Sequence, residues 1–181
     1  MLRDFDAANK TIDRGLKLNP VAFGLWEIKS QLAVAEKGDV SVSEEALQAV
    51  KSMPMNDEQK LRTASARGYV FVLERKYEEG LREAESLPDD RLAPIPTALC
   101  GKYYLIGFAR KALHDEAGAR AAFQKAKELL DAQLKQSPDS PDMRIFFSKV
   151  PAHLGSRDAA QAAAQRATYL LPQSTSAFCG T

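Results

Sequence analysis

The chain has 181 residues, and 25 Lys plus Arg against 24 Asp plus Glu leave a formal net charge of +1. That balance excludes nucleic-acid binding by bulk charge and a polybasic membrane anchor. No apolar run approaches the roughly 18 residues of a membrane span, and two cysteines cannot build a disulfide scaffold at this length. The stretch from Met1 to Asp6 has no apolar signal-peptide core, which favours the cytoplasm.

Ala is the commonest residue, and Leu, Lys, Glu, Gln and Arg are abundant, all good helix formers. The nearest thing to a strand, Tyr69 to Leu73, lies inside a longer helical pattern with no turn signal before it. Breakers at Asn19-Pro20, Gly38-Asp39, Met53-Pro54, Pro88-Asp89, Ser137-Pro138, Gly155-Ser156 and Leu171-Pro172 divide the chain into helical segments. The predicted helices, in chain order, are 4–18, 21–37, 43–53, 57–74, 77–87, 96–113, 115–136, 141–154 and 157–171. Asn56 with Gln59 three residues later has the pattern of a capping box. Ser140-Pro141 puts proline where a missing N–H costs nothing. Pro151 falls inside a predicted helix and is expected to bend or end it.

The helices pair off as long helix, short turn, second helix. Small or apolar residues recur at i, i+4 and i+7 on the second helices: Ala8/Ile12/Gly15, Ala46/Val50/Met53, Gly80/Ala84/Leu87, Ala119/Phe123/Ala126 and Ala160/Ala164/Ala167. The leading positions 8, 46, 80, 119 and 160 stand 38, 34, 39 and 41 apart. On the first helices a larger residue precedes a small one by four, as in Trp26/Ser30, Ala64/Gly68, Tyr103/Gly107 and Arg144/Ser148. Gly68, Gly107 and Ser148 each precede their second-helix partner by twelve, the signature of two helices in close contact. A pair buries only one face by itself, so further pairs must stack on it.

Asp4-Phe5-Asp6-Ala7-Ala8 with Ile12 and Gly15-Leu16-Lys17-Leu18-Asn19-Pro20 resembles the second helix of a tetratricopeptide repeat. Trp26 with Ser30 resembles the start of the next repeat. Lys76-Tyr77-Glu78-Glu79 and Asp115-Glu116-Ala117-Gly118-Ala119 resemble the turn into a second helix. The resemblance implies an all-α, right-handed α-α superhelix, or solenoid, of about four and a half helix pairs in one domain. A partial repeat at 4–20 is followed by repeats at about 21–55, 56–93, 94–138 and 139–173 and a tail at 174–181. The repeat spacing exceeds the 34 or so residues of that class, which makes HEAT-type repeats of about 40 residues the structural alternative. The chain opens and closes on a second helix, so it reads either as part of a longer array or as an array whose ends are covered by a second copy.

No catalytic or metal constellation emerges. His114 and His153 lie on different repeats without a second ligand at metal spacing. His114 occupies the turn position where neighbouring pairs carry Gly38 and Gly155, a helix C-cap place, and His153 is expected to be exposed near its helix end. Cys100 reads as a small buried side chain. Gly101-Lys102 lacks the glycine of a phosphate loop. No cofactor, metal or enzymatic activity is expected.

The resemblance further implies that the first helices line a concave groove. In phase with the repeat, that groove comprises Glu27, Gln31, Val34 and Ala35; Ser65, Tyr69, Val72 and Leu73; Tyr104, Phe108, Lys111 and Ala112; and Ile145, Lys149, Ala152 and His153. The expected binding residues are Glu27, Gln31, Tyr69, Val72, Tyr104, Phe108, Lys111 and Lys149, with Tyr69, Tyr104 and Phe108 as anchors and the lysines as charge partners. The same aromatics read equally well as interior packing. Chaperone-binding members of the family grip a C-terminal carboxylate with basic residues where this chain has Glu27/Gln31 and Arg62/Ala66, so that specificity is not expected. The implied partner is a protein or peptide, with neither nucleic acid nor membrane involved. Self-association through the solenoid ends and service as the regulatory arm of an enzyme are the alternatives.

Overall fold

A computed structural model describes residues 4–139 and 148–170, and those residues form helices joined by short turns, with no strand among them. The helices are α1 (Phe5–Leu18), α2 (Phe23–Lys37), α3 (Ser41–Lys51), α4 (Asp57–Leu73), α5 (Tyr77–Ser86), α6 (Asp89–Leu92), α7 (Pro96–Ala112), α8 (Glu116–Gln136), α9 (described over 148–153) and α10 (Arg157–Leu170). Tyr69 to Leu73 is helical, as its surroundings require. The expected start of α9 at Ser140-Pro141 and the tail from residue 171 lie outside the described residues. Helical backbone passes through Pro151 and stops two residues later, so the proline sits close to the helix end.

Side chains fix where several helices begin. Asp4 Oδ1 accepts from the Ala7 amide and Asp115 Oδ1 from the Gly118 amide, each at 2.8 Å. Asn56 and Gln59 form the expected capping box, with reciprocal bonds of 2.8 and 3.0 Å. Each relieves amides that the first helical turn leaves without a partner. The four-residue helix α6 was not expected. It follows Pro88 and carries Leu92, which is wholly buried.

The turns joining α2 to α3, α4 to α5, α7 to α8 and α9 to α10 each have three residues, and each contains one with positive φ: Gly38, Arg75, His114 and Gly155. His114 carries the left-handed backbone of its turn at φ 62°, one residue beyond the C-cap place expected for it, which Leu113 holds. Five residues beyond these come Ser43, Gly80, Ala119 and Ala160. The structure thus corrects the register of the first full pair. Ser43 rather than Ala46 is the equivalent of Gly80, and its buried hydroxyl donates to the Ser30 carbonyl at 3.1 Å across the α2–α3 crossing. Starting from Ala8, four residues after the Asp4 cap, the equivalent positions 8, 43, 80, 119 and 160 stand 35, 37, 39 and 41 apart.

The other crossings show why small residues recur. A Cβ added at Gly107 would lie 2.8 Å from the Phe123 ring, and one added at Gly80 would lie 3.1 Å from the Gly68 carbonyl oxygen. The backbones of α4 and α5, and the α7 backbone and the Phe123 ring, are thus already in contact. Packing then proceeds along the chain: α1 on α2, α3 on α4, α5 on α7, and first helix α4 directly on first helix α7. The core is a series of clusters along the chain. Ile12, Leu16 and Leu32 form one end, Val72, Leu105 and Ile106 the middle, and Cys100, Phe123, Leu130 and Val150 the other end. No described helix is long and apolar enough to cross a membrane.

Candidate functional site

Helix α7 carries Tyr104, Phe108 and Lys111 at i, i+4 and i+7, a spacing that puts them on one face. Tyr103, one position off that face, takes a different role. Its hydroxyl donates to Asp89, while Lys102 Nζ donates to the Leu87 carbonyl at 2.5 Å and to Asp89 Oδ1 at 2.6 Å. These bonds tie α6 to α7. Burial acts to raise the Asp89 pKa, but the bonds from Lys102 and Tyr103 outweigh it and hold the carboxyl below the usual range. The bond to Asp89, with burial behind it, pushes the Tyr103 phenol up to about 12. The network is structural.

On the other face, Tyr104 and Phe108 meet Phe123 from α8 and His153 from α9. The His153 ring lies flat on Phe123, with centroids 4.4 Å apart and planes 3° apart. It stands edge-to-face with Tyr104 at 5.7 Å and with Phe108 at 6.1 Å. Tyr104 is also edge-on to Phe123 at 5.9 Å, and its hydroxyl lies 3.5 Å from His153 Nε2. Tyr69 on α4 is 52% exposed and close enough to Tyr104 to disfavour its ionisation; burial is the larger cause of the raised Tyr104 pKa. Lys111 and Lys149 are exposed, with Lys149 one turn before His153 on α9.

Tyr104 and Phe108 of α7 and His153 of α9 therefore come together, with Tyr69 of α4 near Tyr104. The expectation that His153 is exposed is overturned, because the ring is partly buried among three aromatic rings. Burial pushes its pKa below 6.5, and the Lys111 ammonium adds to this. A cation over the Phe123 face gains only about 0.5–1 kcal/mol at a partly exposed place, and the opposing effects prevail.

Val72 does not belong to this face. It is only 8% exposed and packs with Leu105 and Ile106, with a methyl 3.0 Å from where a Cβ at Gly80 would stand. The repeat phase put it in the groove, but the tight α4–α5 crossing turns it into the core. Phe123 forms the base of the aromatic group without having been singled out for it. Its place four residues after Ala119 marked it as crossing material, which it also is.

Glu27 and Gln31 lie elsewhere. Glu27 is ion-paired to Arg62 of α4, and its Oε1 accepts from Arg62 Nε at 3.3 Å. The pair helps to line a cavity of about 60 Å³, together with Phe23, Trp26, Gln31, Ala46 and Val50. The predicted residues thus divide between this cavity and the aromatic face, with Val72 beneath the surface.

Burial raises the Cys100 thiol to about 11, so it is an unreactive core group. Among the described residues no three His, Cys, Asp or Glu side chains are grouped to hold a metal ion. No family model matches the chain, and no curated protein matches it in sequence.

Proposed function

We propose that this chain is a non-catalytic interaction module, a right-handed solenoid of tetratricopeptide-like helix pairs that binds a peptide or protein partner on the face of its first helices. The observation that carries the reading is the edge-to-face contact of Tyr104 with His153, on two different first helices, with exposed Tyr69 of α4 near Tyr104 and Lys111 on the same helix face as Tyr104. A preformed aromatic surface loses little conformational entropy on binding, and aromatic side chains in such a place supply most of an interface's affinity. The adjacent lysines favour a partner with an acidic group next to an apolar or aromatic anchor. The regular turns and crossings support the repeat reading.

The test begins with selection of binding peptides from a random library. They are expected to be acidic with an apolar anchor. Replacing the exposed pair together, Tyr69→Ala and Lys111→Glu, is expected to leave the thermal transition intact and to weaken binding about tenfold or more, a loss of about 1.4 kcal/mol. Equal affinity of the wild-type and doubly substituted chains by calorimetry rules the face out.

A further inference from the structure

We propose that His153 is a pH-sensitive latch: its neutral ring holds the α9–α10 pair against α7 and α8, and protonation loosens that attachment. The inference does not depend on the binding reading above, since it concerns the free chain. His153 lies at the end of α9 as an aromatic packing group, flat on Phe123 of α8 and edge-on to Tyr104 and Phe108 of α7. Val150 and Leu154, on either side of it in sequence, pack into the same cluster. Among the described residues, the imidazole is thus one of the side chains through which this segment packs on the preceding pair.

Its surroundings suit a neutral ring and oppose a charged one. From α7 it faces the Tyr104 hydroxyl and the Lys111 ammonium, with Tyr69 of α4 next to Tyr104. From α8 it faces the Phe123 ring. On its own helix Lys149 precedes it by one turn, and α10 brings Arg157 and Asp158 in its exposed first turn. Lys111 is the charged group that bears on it among the described residues, and it is of the wrong sign for an imidazolium. A neutral Nε2 can accept from the Tyr104 hydroxyl at 3.5 Å; a protonated one becomes a donor, so the phenol proton must rotate away and the phenol oxygen accept instead.

The sign follows from linkage. His153 titrates below 6.5 when packed and at the ordinary value when released. The released form thus binds more protons between those two values. Attachment is complete above the ordinary histidine value, weakens as pH falls through it, and stops changing below the packed value.

The test uses the whole chain without a ligand. The His153 imidazole is titrated by nuclear magnetic resonance, and amide hydrogen exchange is followed from about pH 7.5 to about pH 5. Amides of α10 are compared with those of α4 and α5 in the same sample, so that the intrinsic pH dependence of exchange cancels. His153 is expected to titrate below 6.5, and the α10 opening ratio to rise by up to about tenfold per pH unit between the two values. His153→Phe, which keeps a ring on Phe123, should remove the rise, and His114→Gln should retain it. A titration at or above the ordinary value, a flat ratio in the wild type, or an equal rise in His153→Phe overturns the proposal. The wild-type titration and ratio decide by themselves if His153→Phe does not fold.

Discussion

The α2–α3 and α7–α8 pairs share a three-residue turn with one left-handed residue, yet they build their crossings from different chemistry. At α7–α8, Gly107 gives up its side chain so that the Phe123 ring can lie against the backbone. The interface is apolar, and it continues through the same ring to His153 of α9. At α2–α3 the space is filled by Ser43, whose hydroxyl must be satisfied and donates to Ser30. Beside that crossing lies the 60 Å³ cavity between α2, α3 and α4. Close approach is the shared requirement; what fills the remaining space is local. The glycine solution leaves a large ring available to a third helix, and the serine solution leaves a gap.

The comparison can be broken most severely at Gly107. Gly107→Leu should destabilise the chain by about 1–3 kcal/mol, at the upper end because even a Cβ meets the ring at 2.8 Å. A urea midpoint lowered without a change in slope would register it; an unchanged midpoint would remove glycine as the reason for the crossing. Ser43→Ala should cost less, about 1 kcal/mol, because it removes one hydrogen bond without leaving a buried donor unpaired. A loss as large as that at Gly107 would mean that the two crossings are equally tight. The smallest effect is expected in the turns. His114→Gly relieves a left-handed conformation worth about 1–2 kcal/mol, and the freer unfolded chain takes back about 0.4–1 kcal/mol. At mid-range the two differ by about 0.8 kcal/mol, and a gain of that size is the expected result, seen as a raised Tm.

The helices and their pairing were legible because alanine-rich segments between Pro and Gly breakers leave few other choices. The Asn56 cap and the His114 turn were also plain, since each depends on chemistry local to a few residues. The register of the first pair was not. Ala46 continued the small-residue pattern, whereas the crossing is made by Ser43, and only the position of the turn separates them. Val72 was misplaced for a related reason. Repeat phase assigns a helix face, but the depth of a face depends on how close the neighbouring helix comes, and Gly68 with Gly80 brings α5 very close. Phase put Tyr69, Tyr104 and Phe108 on one expected face; the His153 ring on Phe123 was not legible, because it joins residues thirty positions apart on two different pairs. Helix α6 was hidden in a stretch too short for any periodicity to register.

The principal packing contacts join helices that are neighbours in the chain or one pair removed. A polypeptide of this kind has only short loops to close as it folds. Contacts of such short range meet a small entropic barrier as each one forms. The middle, where α4, α5, α7 and α8 share a continuous core, is the natural starting point. Disruption should run in reverse, with each end able to detach while the centre remains folded.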